Sequence, residues 1–230
     1  MDIKRIAILT DTELLGDRYQ TDFGLSAPIS IIEYDNYKLL VCSQEHSDPR
    51  ATVRALKDMG ATHLWLCESV GALSILLEPG DWLVADDYID GTRGQHYTYF
   101  SEKAGGYVQQ MPAFDNASRD ALITGLTMQA AANKPAAAAQ NRRIFRRGVY
   151  VCVGNTRLET PAEAAFWTRA GGHVVGRFLS PCLTLARELE MSVAVLVHVV
   201  RQGGNSGVSL PFSYYLDVLE PAVVSLISPE

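Results

Sequence analysis

Positive charge is in short supply in this chain. Its 230 residues carry 20 Lys and Arg against 26 Asp and Glu, a net charge of -6, which is the wrong sign for a protein held on nucleic-acid phosphates or anionic lipid. Neither nucleic acid nor a membrane is expected as a partner. Long apolar runs are also missing. Near the amino terminus only Ile6 to Leu9 precede Thr10 and Asp11, too few for a secretory core, and no run approaches the roughly 20 residues that span a bilayer. A cytoplasmic protein is the expectation. The four cysteines, Cys42, Cys67, Cys152 and Cys182, lie far apart, three of them in or beside apolar runs. That scatter gives no zinc knuckle or secreted disulfide framework and leaves reduced, buried thiols. With 47% hydrophobic residues and a mean hydropathy near zero, the chain has material for a large core, and disorder, collagen and coiled coil are excluded.

Short continuous apolar runs read as buried strands at Ile6-Leu9, Leu39-Cys42, His63-Cys67, Trp82-Ala85, Gly148-Val153, His173-Val175 and Val193-Val200. Continuous runs of this kind, without alternation, suit a parallel sheet covered on both faces. Helical stretches lie between them: Arg50-Met59, Ala117-Ala132, Pro161-Ala170 and Pro181-Leu189. Each follows a hydroxyl or acidic residue that suits a helix start. Such alternation predicts an α/β fold with a mixed, mostly parallel sheet flanked by helices, as a single domain over residues 1–230. The one compositional break, Ala130-Gln140, reads as a helix end and surface connection, a domain linker being the alternative.

Thr10-Asp11-Thr12-Glu13 follow the first strand directly, where open α/β sheets bind ligands. A capped turn at the start of a helix explains the same residues. Farther on, Gly60-Ala61-Thr62-His63, Ser69-Val70-Gly71-Ala72-Leu73, Pro79-Gly80-Asp81, Asp90-Gly91-Thr92-Arg93-Gly94 and Gly148-Val149-Tyr150-Val151-Cys152 form an ordered series. Arg157, Thr160, Ala162-Glu163, Gly176, Pro181 and Leu185-Ala186-Arg187-Glu188 continue it. In order and spacing these segments resemble the purine nucleoside phosphorylase superfamily, most closely its trimeric methylthioadenosine and methylthioinosine phosphorylase branch. The resemblance covers roughly residues 4 to 203.

It implies a phosphorylase/hydrolase-like fold, a small nucleoside or purine-like ligand, a homotrimer with Thr92-Phe100 near the neighbouring site, and no cofactor. It also implies an N-glycosidic bond broken between an anion cradle, a sugar floor and a group that assists the departing purine. At the cradle Thr12 fits, while Asp11, Glu13 and Glu68 occupy its other positions and His46 is what remains of a second contact. Two unit charges about 5 Å apart repel by roughly 3 kcal/mol at an effective dielectric near 20. Three ionised carboxylates would therefore oppose phosphate. At the sugar floor the resemblance points to Arg177 and Phe178, at the base cover to Leu158, and at the base-assisting position to Arg201. An arginine there stabilises negative charge without shuttling a proton.

Three readings stay open on these residues. One is a nucleoside phosphorylase of divergent specificity, supported by Thr12, Arg157 and Glu163. Another is a phosphate-independent nucleoside hydrolase with Glu13 as the water-activating catalytic base and Arg201 assisting the base. The last is an inactive homologue that binds a small ligand, or whose cleft is closed by Arg177 or Arg201 meeting Glu68 or Glu13. His198 reads as a core histidine, the arginines at 142, 143, 146 and 147 as a solvated connection, and Gly203-Gly207 as a flexible loop.

Overall fold

A computed structural model describes residues 3–43, 47–100, 108–132, 143–154, 157–202 and 207–228. His46, most of Ala130-Gln140, Arg142 and Gly203 to Ser206 therefore lie outside the described residues.

The chain opens with β1 (Lys4–Thr10), the short pair β2 (Gln20–Thr21) and β3 (Gly24–Leu25), then β4 (Ile29–Glu33), β5 (Tyr37–Ser43) and helix α1 (Pro49–Asp58). It continues through β6 (His63–Ala72), β7 (Trp82–Val84), β8 (Asp87–Asp90), α2 (Asn116–Ala131), β9 (Ile144–Phe145) and β10 (Val149–Cys152). Then come α3 (Pro161–Arg169), β11 (Val174–Gly176), α4 (Cys182–Glu188), β12 (Ser192–Gln202) and α5 (Phe212–Ile227). The main sheet runs β4-β5-β1-β6-β11-β10-β8, with β12 branching from β6 and followed by β7 and β9.

Every strand expected from the apolar runs forms, and the sheet is mostly parallel, as continuous burial requires. Ala7 and Leu9 face one core while Ile6 and Ile8 face the other, because successive strand residues point to opposite sides. Helices α1 and α4 cover the first face, with Val53, Leu56, Leu183 and Leu185 buried there. Helices α2 and α5 cover the second through Leu122, Leu126, Tyr215 and Leu219.

Several expectations are corrected. Trp82-Ala85 does not form a parallel strand with its long neighbour: β7 is antiparallel to β12, and β11 is antiparallel to β6. No helix follows Thr10-Asp11-Thr12-Glu13, so these residues are not a helix cap. Ser180 does not cap α4, whose first turn has no side-chain cap. Its hydroxyl donates instead to Asp90 at 2.7 Å. Arg143 is exposed but not merely solvated, since its guanidinium binds both oxygens of the buried Asp81 at 3.0 and 2.7 Å. His198, in contrast, is the core histidine expected, buried beside Trp82 with ring centroids 4.8 Å apart. Among the described residues no helix is long and apolar enough to cross a membrane.

Candidate functional site

The carboxyl ends of β1, β10 and β11 meet the middle of β6, which runs on past them beside β12, and strand ends are where open α/β sheets place ligands. Strand β6 is central, pairing with β1 along its first half and with β12 along its full length. It carries Glu68, Ser69 and Gly71 into the site. The register of β12 shifts between Val199 and Arg201, which sets Arg201 opposite Gly71. An irregularity of this kind re-aims a side chain at the end of a strand.

Glu68 is 1% exposed. Its Oε2 accepts from the Tyr150 hydroxyl of β10 and its Oε1 from the backbone N–H of Arg177 at 2.8 Å. Burial pushes its pKa up to about 7, and the nearby Asp11 carboxyl adds to the rise. The hydroxyl of Tyr150 and the N–H groups of Arg177 and Phe178 pull in the opposite direction. Gly176 makes this arrangement sterically feasible, because a Cβ there would lie 2.5 Å from Glu68 Oε2 and against the Tyr150 hydroxyl.

Asp11 leaves the end of β1 and is held by β6, its Oδ2 accepting from Ser69 N at 3.1 Å. Its Oδ1 is buried with no hydrogen-bond partner among the described residues. Burial raises the pKa of this carboxyl, opposed by Ser69 and the Ser209 hydroxyl. The segment before α5 folds over it: Leu210 N donates to Ser69 Oγ at 3.0 Å, and Thr12 Oγ1 donates to Leu210 O at 3.5 Å. Tyr215 of α5 reaches Ser69 Oγ at 3.4 Å.

At the other end, Arg201 donates to both oxygens of Glu159, one of the bonds at 2.8 Å. The two side chains are 10% and 8% exposed. Burial works against the charged carboxylate, yet Arg201, with Arg177 as a smaller contributor, holds Glu159 below the usual carboxylate range. A cavity of about 410 Å³ borders Glu159, with Gly91, Arg93, Val153, Arg157 and Trp167 in its wall. Arg157 there grips both oxygens of Glu163 at 2.7 Å. With the Thr160 N–H that pairing lowers the Glu163 pKa to about 2, and Thr160 and Glu163 complete a capping box at α3.

The structure thus brings Glu68, Arg177 and Phe178 together, seats Thr12 beside Asp11 and Ser69, and puts Arg201 over Gly71. Arg201 meets Glu159 and not Glu68 or Glu13. Leu158, next to Glu159 in sequence, is 38% exposed, and Glu13 is exposed beyond Thr12. Sequence reasoning missed Glu159 and Tyr150. The one trace of Glu159 was an acid standing just before Thr160 whose helix cap is already complete.

A family model described as the phosphorylase superfamily matches residues 19–209. The chain is 30% identical over 183 residues to a probable S-methyl-5'-thioinosine phosphorylase of Methanothermobacter thermautotrophicus, covering 76% of this chain and 59% of that protein. It is 30% identical over 147 residues to an S-methyl-5'-thioadenosine phosphorylase of Thermofilum pendens, covering 62% and 50%. It therefore spans between half and two thirds of the length of these relatives. The fold is similar to that of a methylthioadenosine phosphorylase from Schistosoma mansoni in complex with tubercidin, with a TM-score of 0.80 at 20% identity over 98% of this chain and 90% of that one. An adenine complex of a variant from the same organism gives 0.84 at 20% identity, covering 100% and 93%.

Proposed function

Because the chain belongs to the phosphorylase superfamily, we propose that it takes a purine nucleoside of the methylthioadenosine type at the strand ends and releases the base with water, not phosphate, as the attacking group. The observation that carries this reading is the carboxyl pair Asp11 and Glu68 where the family resemblance expects an anion cradle. An ionised Asp11 would oppose a phosphate by roughly 3 kcal/mol, whereas one hydroxyl such as that of Thr12 returns only about 1 kcal/mol. A neutral water meets no such repulsion and gains from an adjacent acceptor.

Phe178 and Arg177 line the sugar side in this reading. Arg201 and Glu159 offer donors beside an acceptor to the edge of the base, and the guanidinium stabilises negative charge as the base departs. The neighbouring cavity falls within the size range of small-ligand pockets. A second reading, a homologue that binds without turnover, is favoured by the saturation of Arg201 by Glu159. Assembly as a homotrimer rests on the family resemblance, and a stable monomer in sedimentation at micromolar concentration would remove it.

The test is base release from adenosine, inosine and methylthioadenosine, each with and without phosphate. Release at equal rates in both conditions is expected. Phosphate-dependent release yielding a sugar 1-phosphate would restore ordinary phosphorolysis, and binding without release in either condition would establish the second reading.

A further inference from the structure

We infer that Asp11 is the general base for this reaction, its unpartnered Oδ1 holding the attacking water; the inference rests on the hydrolytic reading above. A buried carboxylate oxygen with no donor is uncommon in folded proteins and calls for an explanation. Here Oδ2 is anchored by Ser69 N, which orients the carboxyl, and Oδ1 is left without a hydrogen-bond donor among the described residues. The anchor sits on β6, one residue after Glu68, and the lid of Ser209 and Leu210 closes over the same place. Water is the smallest donor that satisfies Oδ1 there.

The chemistry balances without a further reactant. The water oxygen bonds to the anomeric carbon as the carbon–nitrogen bond breaks, and that bond's electron pair leaves with the base. The water proton passes to Asp11 Oδ1 and is later lost to solvent, while the base takes up a proton from solvent. Glu68 suits the role of silent neighbour. Buried, hydrogen-bonded through both oxygens and titrating near neutrality, it can carry a proton while Asp11 is ionised, since two adjacent carboxyls do not both ionise easily. The other titratable groups facing Asp11 are Cys67 on β6 and Tyr215 on α5, both raised by burial and neutral in this range.

The experiment measures phosphate-free base release from methylthioadenosine by the full chain and by Asp11→Asn, Asp11→Ala and Glu13→Gln. Asp11→Asn is expected to lower kcat by about 10²-fold or more with KM within threefold, and to abolish the fall in rate on the acid side of the pH profile. Added formate is expected to restore part of the Asp11→Ala rate, which a purely structural role for Asp11 would not produce. If Asp11→Asn keeps more than a tenth of the rate, or the loss falls on Glu13→Gln instead, the assignment of Asp11 is wrong while the hydrolytic reading stands. A wild-type chain that releases no base overturns both.

Discussion

Arg201 and Glu159 form a two-point ion pair across the end of the sheet, and the guanidinium occupies the space where Gly71 has no side chain. A Cβ on Gly71 would stand 2.5 Å from the Arg201 Cζ. The arginine fits because β12 shifts register just before it and because the strand opposite offers a glycine.

Breaking this pair from one side leaves a buried charge without its partner, which costs about 3 to 5 kcal/mol. Glu159→Gln and Arg201→Met are each expected to lower the unfolding free energy by that order in urea titrations. The double variant Arg201→Met with Glu159→Met should recover much of the loss, since no charge is then stranded. Equal losses in the single and double variants would show that the pair contributes through packing instead.

Glu68 gives stability a pH dependence of unusual sign. Its folded pKa, about 7, lies above the ordinary carboxylate value of 4.5, so its protonated form favours folding. That contribution is complete below about pH 4.5 and disappears as pH rises through about 7. Since a tenfold change in proton affinity corresponds to roughly 1.4 kcal/mol, it amounts to a few kcal/mol. In Glu68→Gln the difference in unfolding free energy between about pH 5 and pH 8 should shrink by that amount, as read from denaturation at the two pH values.

Arg143→Ala is expected to lower the thermal midpoint, because Asp81 is 1% exposed and would lose a two-point partner. The cost is smaller than for a fully buried pair because Arg143 is half exposed and water screens its charge. A thermal midpoint within a degree of wild type would mean that water replaces the guanidinium.

Thr160→Ala removes one half of the capping box and should cost about 1 kcal/mol. None of the residues of α3 is fully buried, so the loss should appear first as faster amide exchange along that helix, ahead of any change in global unfolding. Uniform exchange rates in α3 before and after the change would show that packing, not capping, holds it.

Much of the fold was legible because buried parallel strands leave continuous apolar runs, as Ile6-Leu9 and Val193-Val200 do. Strand β4 escaped notice: it sits at the sheet edge, antiparallel to β5, with a half-exposed alternation and no apolar run. Helix α5 was hidden as well, since it is apolar around much of its circumference and contains Pro221. In the site, Glu68 and Arg177 were expected near one another, and the Arg177 backbone N–H does donate to Glu68. The partner of Arg201 was not legible, because choosing among Glu13, Glu68 and Glu159 depends on the register shift in β12 and on where the segment before α3 returns. The spare oxygen of Asp11 was invisible for the same reason, since it takes a three-dimensional structure to show which acceptors have no donor.

The join between α5 and the candidate site has a practical consequence for shortening the chain. Leu210 and Ser209, which lean on Thr12, Ser69 and Asp11, closely precede a helix whose Tyr215, Val218, Leu219, Ala222 and Val223 fill the core on one face of the sheet. Trimming the carboxyl end would therefore act at two distances at once, emptying a core far from the cleft and admitting bulk solvent to Asp11. The ion pair of Arg201 and Glu159, anchored on β12 and on the segment before α3, would keep its partners under the same change.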